Sequence, residues 1–476
     1  MIHTLCNNTA KQYARGMKVM MDWKPILPND GTPRYLAIAN ALSEDVRSGV
    51  LKVGTRLPPQ RKLASRLGID FTTVTRAYAE AQSRGLVRSE VGRGTFIART
   101  SRHGVQPDLE RSGAEDLSMN MPPEPTDPKL IEAMQQGLDY ISTNLLGLLR
   151  YQTALGGDKD KIAASSWLSL RGMVPKLERI AVTPGAHATM TAILSMIADQ
   201  GDCILCEKIT YPGIRNIAKL RGVSLIGIEM DQDGILPDAL EKAIKQHKPK
   251  ALYLNPTLHN PTTITIPTDR RLAISQIINK HGLQLIEDDA YGFIPEKAPA
   301  PLAVSSPDLT WHIGGLAKCI GAGLRIAYTV TPSAKHTLAL AQSLRALTVM
   351  PSPMSMALAT CWIEDGTADQ IRRFIRSETA IRQSMATKAL EGLDFNSAEN
   401  AFNIWLRLPE GAARAEIIAN MAGRHIGIIP SDAFTIGGNA DEHVRLCLGG
   451  TVDRDRLQSS LHYLSHLLMP GSFLTG

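Results

Sequence analysis

The stretch Trp311-His312-Ile313-Gly314-Gly315-Leu316-Ala317-Lys318-Cys319-Ile320-Gly321-Ala322-Gly323-Leu324-Arg325-Ile326-Ala327-Tyr328 runs from an apolar strand into a glycine-rich turn that holds one lysine. A second glycine-spaced loop then leads to an arginine and another apolar strand. Such a layout buries an amine and keeps a cation for an anion beside it. Desolvation disfavours the charged form of a lysine and lowers its pKa, so a lysine held there carries a cost. Two uses of it are common, a Schiff base and a phosphate contact. Taken alone, the stretch reads equally as a loop between strands with a lysine on the surface.

Upstream, strand-like and helix-like runs alternate from about Leu117. The pattern predicts strands at Arg179–Thr183, around Cys203, at Ser224–Glu229, Ala251–Leu254 and Gln284–Glu287. Between them it predicts helices at Ala186–Ala198, Tyr211–Leu220, Pro237–Gln246 and Asp269–His281. Strands separated by helices of this length imply a mainly parallel sheet covered on both faces. Ligands of such sheets bind outside the carboxyl ends of the strands. The residues just beyond each strand end are therefore informative. Thr183-Pro184-Gly185-Ala186-His187 is a glycine turn opening a helix, whose free N–H groups suit a phosphate. Tyr211-Pro212-Gly213 sets an aromatic ring at a turn, and Asn255-Pro256-Thr257-Leu258-His259-Asn260 and Glu287-Asp288-Asp289-Ala290-Tyr291 come after two more strands.

These parts answer to one cofactor, pyridoxal 5'-phosphate. Its aldehyde needs an amine, Lys318, and its pyridine nitrogen needs a carboxylate, Asp288, to stay protonated and act as an electron sink. Its ring oxygen needs donors, Asn260 and Tyr291. Its phosphate needs a helix N-terminus, Gly185 and Ala186, and a fixed cation, Arg325. Each piece alone has a plain structural alternative: a cap for Asp288, core for Tyr211, a surface ion pair for Arg325.

Composition bounds the rest. At 476 residues, with 43% hydrophobic and 21% charged residues, the chain has room for two or three globular domains. No apolar run approaches a membrane span. The six cysteines are scattered, as expected in a reducing cytoplasm. Cys203 and Cys206 form a CxxC, but in a buried strand residues three apart point to opposite faces. Between Pro33 and Ala98 eleven basic residues face five acidic ones, a balance of +6 that equals the net charge of the whole chain. All excess positive charge thus lies in one N-terminal segment, as in a nucleic-acid-binding module attached to something else.

Within that segment, Thr32-Pro33 predicts a helix start, with Thr32 as the cap and Pro33 at the first helical position. A short helix with Leu63, Ala64 and Leu67 inward ends at Gly68. Asp70 caps a third helix that buries Val74, Ala77, Tyr78 and Ala81 and leaves Thr72, Thr73 and Arg76 on the other side. Two helices joined by a tight turn make a helix-turn-helix, whose second helix enters the major groove. Leu86–Ile97 alternates like a hairpin with Gly92-Arg93-Gly94 at its tip, a wing.

The run Gly54-Thr55-Arg56-Leu57-Pro58-Pro59-Gln60-Arg61-Lys62-Leu63-Ala64, followed by Thr72-Thr73-Val74-Thr75-Arg76-Ala77-Tyr78, resembles the winged helix-turn-helix of GntR-type transcription factors. That resemblance covers residues 33–98 and implies DNA contacts at Arg61, Thr72, Thr73, Arg76 and Arg93. Residues 117–476 resemble the fold-type I aminotransferases, α/β enzymes with a large domain and a smaller C-terminal α+β subdomain, here from about residue 390. This second resemblance implies the internal aldimine on Lys318, the pyridine partner on Asp288, ring-oxygen contacts on Asn260 and Tyr291, and a stacking ring on Tyr211. It implies phosphate contacts on Gly185, Ala186, His187 and Arg325, and it makes Arg445, in His443-Val444-Arg445-Leu446-Cys447-Leu448, the grip on a substrate carboxylate. Gly315 and Ala317 stand where many of these enzymes have phosphate-binding hydroxyls, and His187 replaces a more usual glutamine.

A GntR-type reader fused to an aminotransferase-like domain resembles the MocR subfamily of regulators. The expected layout is an N-terminal extension over 1–21, a DNA-binding domain over 22–98, a polar tether over 99–116 and the cofactor-binding domain over 117–476. The expected function is a cytoplasmic, homodimeric, pyridoxal-phosphate-dependent regulator of double-stranded DNA operators. It would sense an amino acid or amine through an external aldimine at Lys318. An active aminotransferase with an autoregulatory head, and a vestigial domain that only dimerises the heads, are the alternatives.

Overall fold

The computed structural model describes residues 23–28, 31–90, 93–98 and 119–468. The chain divides into two compact units, Met1–Ala114 and Glu115–Gly476. The expected extension over 1–21 and tether over 99–116 lie outside the described residues.

In the first unit three helices, α1 (Arg34–Arg47), α2 (Gln60–Leu67) and α3 (Phe71–Ser83), surround a core of Ile38, Leu42, Leu63, Val74, Ala77 and Tyr78. The α1 start differs by one residue from the expectation. Pro33 is itself the cap, and its carbonyl accepts from the N–H groups of Leu36 and Ala37 at 2.9 and 3.0 Å. Proline has no N–H to lose and a preset φ, so it suits the cap as well as the first turn. Gly68 ends α2 in the left-handed region at φ 64°, and the Asp70 carboxylate accepts from the Thr72 N–H at 2.7 Å to start α3. The hairpin of β1 (Val87–Glu90) and β2 (Gly94–Ile97) is antiparallel, with Val87 opposite Ile97. Arg56 adds a bridge to Phe96. Gly94 sits at φ 115°, a backbone conformation that residues with a Cβ rarely adopt.

The second unit is built on a seven-stranded sheet. Its strands are β3 (Ile180–Thr183), β4 (Cys203–Glu207), β5 (Ser224–Ile228), β6 (Ala251–Leu254), β7 (Gln284–Asp288), β8 (Thr310–Gly315) and β9 (Ala327–Val330), in the order β3-β9-β8-β7-β6-β4-β5. Period-two alternation sends Ala251 and Tyr253 to one face and Leu252 and Leu254 to the other, into separate helix-covered cores. Only β9 runs antiparallel, to both β8 and β3. Its direct connection from β8 carries no crossover helix, which a parallel return requires. The reversal puts the beginning of β9, not its end, at the edge where the other strands finish. Ala327 stands opposite Thr183 and Gly315.

The C-terminal portion forms a second, antiparallel sheet from β10 (Phe395–Asn396), β11 (Asn403–Arg407), β12 (Gly427–Pro430) and β13 (His443–Cys447), ordered β10-β11-β13-β12. Ile404, Leu406, Val444 and Leu446 fill its own core with Leu457, Leu461 and Leu464 of the last helix, Arg454–Leu468. Alternation sends Asn403, Arg445 and Cys447 to the opposite face. Ala386 and Ala389 already belong to this core, so it begins within the long helix Thr367–Ala389.

Candidate functional site

In the head, Arg61, Thr72, Arg76 and Arg93 are exposed and Thr73 is half-buried. The Arg76 guanidinium lies 4.4 Å from the centroid of the Tyr35 ring and that of Arg61 lies 5.7 Å from the Phe71 ring. Cation–π contacts of this kind limit the rotamers of long side chains before they meet a ligand. Thr72 Oγ1 bonds to Asp70, so its hydroxyl is engaged by the cap itself. Neither aromatic partner was foreseen from the sequence.

In the second unit one cavity of about 730 Å³ opens at the carboxyl edge of the sheet. Gly185, Ala186, His187, Tyr211, Asn260, Asp288, Tyr291, Lys318, Arg325 and Arg445 all line it. Gly185, at φ 87°, precedes the helix Ala186–Ile197, and a Cβ on it would lie 3.2 Å from an Arg325 guanidinium nitrogen. The antiparallel β9 explains that proximity, since Arg325 lies two residues before Ala327. The His187 and Tyr211 rings are 5.9 Å apart. Gly213 leaves room for them, because a Cβ there would fall 2.5 Å from His187 Nε2.

Asp288 ends β7, and Tyr253 Oη donates to its Oδ2 at 2.9 Å. Its Oδ1 is buried without a protein partner. The Asn255 side chain donates to the Asp288 carbonyl at 2.7 Å and accepts from the Asn260 N–H at 2.9 Å. The Asn255 N–H donates to buried Glu207 at 2.6 Å. Arg445 Nη1 donates to Asn260 Oδ1 at 2.9 Å, its Nη2 lies 3.3 Å from Cys447 Sγ, and its guanidinium stands 5.1 Å from the Phe434 ring. The residue expected on the ring oxygen and the one expected on a carboxylate are thus bonded to each other. Lys318 Nζ donates to the Asn120 carbonyl.

Burial pushes the Lys318 amine down to about 8, helped by the positive charge of Arg445. Burial pushes the Asp288 carboxyl up to about 6, against the hydrogen bond from Tyr253. Near neutrality, then, a minor but kinetically useful share of the amine is a neutral nucleophile, while the carboxylate is mostly charged and one of its oxygens has no protein donor. Burial raises Glu207 to about 7 and lowers His187, where Arg325 adds to the effect. The buried Nε2 of His187 also has no protein partner.

This set fits pyridoxal phosphate. The unpartnered Asp288 oxygen suits a protonated ring nitrogen, the helix opening with Arg325 and His187 suits a phosphate, and Lys318 suits the aldehyde. Sequence reading missed Tyr253, Asn255, Asn120 and Phe434. Asn255 alone carried a signal, standing directly after a strand beside a proline. Among the described residues no cluster of three or more His, Cys, Asp or Glu side chains suits a metal ion, and no helix is long and apolar enough to cross a membrane.

Residues 114–463 match the family of aminotransferase class I and II, and residues 34–97 match the bacterial regulatory proteins of the gntR family. An uncharacterized HTH-type transcriptional regulator of Bacillus subtilis, YdeF, is 27% identical over 94% of this chain and 97% of its own. The "Probable rhizopine catabolism regulatory protein MocR" of Rhizobium meliloti is 27% identical over 63% of this chain and 66% of its own. Among solved structures, LysN, an α-aminoadipate aminotransferase of Thermus thermophilus complexed with N-(5'-phosphopyridoxyl)-L-leucine, superposes with a TM-score of 0.66 at 21% identity. It covers 74% of this chain and 91% of its own.

Proposed function

Because the chain belongs to the aminotransferase class I and II family and joins it to a gntR-family head, as regulators of the MocR subfamily do, we propose that it is a pyridoxal-phosphate-dependent transcriptional regulator whose effector is an amino acid or amine. The cofactor would supply an aldehyde that condenses reversibly with an amine, that of Lys318 or of an effector. Asp288 would hold the ring nitrogen protonated, Asn260 and Tyr291 would serve the ring oxygen, and Tyr211 would stack on the ring. Gly185, Ala186, His187 and Arg325 hold the phosphate, and Arg445 takes the effector's carboxylate. Arg61, Thr72, Thr73, Arg76 and Arg93 contact a double-stranded operator. The active form is a cytoplasmic homodimer, whose two heads address two half-sites.

The observation that carries this reading is the pairing, in one cavity, of a desolvated lysine amine with a buried aspartate oxygen that has no protein donor. The test is the visible spectrum on adding pyridoxal phosphate to the wild type and to Lys318→Ala. The wild type gains an imine band that the variant lacks, and amino acids then shift it and change affinity for the protein's own promoter DNA. A wild type that gains no band refutes the cofactor. A working aminotransferase is the second reading, favoured by an amine pKa of about 8, which suits proton transfer near neutrality. Steady release of a keto acid from amino donors would establish it.

A further inference from the structure

The first described residues after the expected tether meet the Lys318 site. The Asn120 carbonyl accepts from Lys318 Nζ. Its side chain, buried with only 3% exposure, donates to Tyr291 Oη and to Asn403 Oδ1, each at 3.0 Å. Asn403 in turn donates to the Pro261 carbonyl at 2.6 Å, next to Asn260. Two residues on, the Pro122 carbonyl accepts from the Gly450 N–H at 3.2 Å, and Pro123 bridges Gly450. The approach is so close that a Cβ on Gly449 would lie 1.7 Å from the Met121 carbonyl oxygen. Gly449 and Gly450 lie just beyond β13, the strand of Arg445. Four residues thus touch the amine, the ring-oxygen tyrosine and the end of the strand that bears the carboxylate grip.

We propose that Asn120–Pro123 is a strap that reads the state of the Lys318 amine through the Asn120 carbonyl and passes it to the chain leading to the DNA-binding head. The Asn120 side chain is its positioning residue. The biological meaning rests on the function proposed above; the contact itself does not. A free lysine ammonium has three N–H groups and can spare one for the carbonyl. Condensation with the cofactor aldehyde would release water and leave the nitrogen at most one N–H, for which the cofactor's ring oxygen would compete, so the carbonyl would lose its donor. Release of the amine by an incoming effector restores it. The side-chain bonds to Tyr291 and Asn403 set the carbonyl against the amine, so loss of the Lys318 bond removes one of the three contacts that anchor Asn120 and loosens the strap.

Hydrogen exchange read by mass spectrometry on the full chain without cofactor tests the contact. The proteins compared are wild type, Lys318→Met, Asn120→Ala and the double variant. Lys318→Met keeps the stem and removes the donor. It should speed exchange in the peptide spanning 119–127 and at Gly450 on the order of fivefold, as for one net hydrogen bond. Asn120→Ala should do at least as much. The double variant should be no faster than Asn120→Ala alone, because the two changes break one chain of contacts. The helix Ala186–Ile197 should stay protected in all four, which reports an intact fold. Unchanged exchange in Lys318→Met, or effects that multiply in the double variant, overturn the strap. Pyridoxal phosphate added to the wild type should reproduce the Lys318→Met rate and leave that variant unaltered. If the cofactor-free comparison holds while no imine band forms, the strap stands and the cofactor reading fails. If the band forms while Lys318→Met exchanges like the wild type, the strap fails and the cofactor reading stands.

Discussion

The lysine's titration can be read directly. A fall from the ordinary 10.5 to about 8 raises the neutral fraction at pH 7.5 from about 0.1% to about 24%, a gain of roughly 240-fold. Stopped-flow absorbance on mixing cofactor-free protein with pyridoxal phosphate should therefore show an imine-forming rate that climbs with pH and levels off near 8. Lys318→Met supplies the blank. Burial is the larger cause of the depression and the Arg445 charge the next, so Arg445→Met should move the plateau upward without restoring the ordinary value. A like charge several Å away at an effective dielectric of about 20 is worth roughly 2 kcal/mol, or one to two pH units. The rate at pH 7.5 should then fall roughly tenfold or more. Linkage gives a second reading. The folded pKa lies below the unfolded one, so between about 8 and 10.5 the unfolded chain binds more protons, and wild-type stability rises with pH across that window. Lys318→Met should be the more stable protein below pH 8, by at most about 3 kcal/mol and less where water enters the cavity mouth. The advantage should vanish as the pH approaches 10.5. A wild-type rate still rising steeply beyond pH 9 would refute the reasoning, as would a stability difference that grows with pH.

Gly315 has no left-handed φ, and a Cβ on it would meet the Ala186 Cβ at an ordinary 3.8 Å, so Gly315→Ser should be accommodated. With Ala317→Ser it should restore hydroxyls beside the phosphate cradle and tighten pyridoxal phosphate about fivefold per hydrogen bond gained, measured by spectral titration; unchanged affinity would mean that His187 and Arg325 already satisfy the phosphate. Tyr253→Phe removes the donor to Asp288 Oδ2 and should raise that carboxyl from about 6 by one to two units. Cofactor affinity should then fall between pH 8.5 and 7 in the variant only. In the head, Arg76→Ala should weaken promoter binding and lower its salt slope by about one. Tyr35→Leu, which removes the ring under Arg76, should weaken binding less and leave the slope unchanged; equal slopes in the wild type and Arg76→Ala would place Arg76 off the phosphate backbone.

Most of the fold is written locally. Alternating runs mark the strands, Gly68 and Asp70 punctuate the helix-turn-helix, and residues just beyond each strand end fall together because parallel strands share a carboxyl edge. That rule accounts for eight of the ten residues named from the sequence that line a single cavity; Arg325 precedes the antiparallel β9 and Arg445 comes from the C-terminal sheet. The residues missed act across distance. Asn120 meets Tyr291 and Asn403 over 171 and 283 positions of chain, and no periodicity or turn signal encodes such a meeting. Tyr253 was hidden for a different reason: inside an apolar strand its ring satisfies the same pattern as a leucine, and only the hydroxyl's reach to Asp288 sets it apart.

The antiparallel β9 shows how one topological choice makes the site. Had β9 returned parallel, a crossover would have carried Arg325 to the opposite edge of the sheet. Running back directly, it delivers Arg325 beside Gly185 and leaves Lys318 on the short connection between, facing Asp288 of the neighbouring strand. The amine is then closed in from the far side by Asn120, a residue from outside the sheet. A site assembled from sheet ends alone would bind cofactor and amine without informing anything else. The strap proposed above takes one hydrogen-bond acceptor of the site from outside the sheet, and on that proposal the acceptor gives the state of the amine a mechanical outlet.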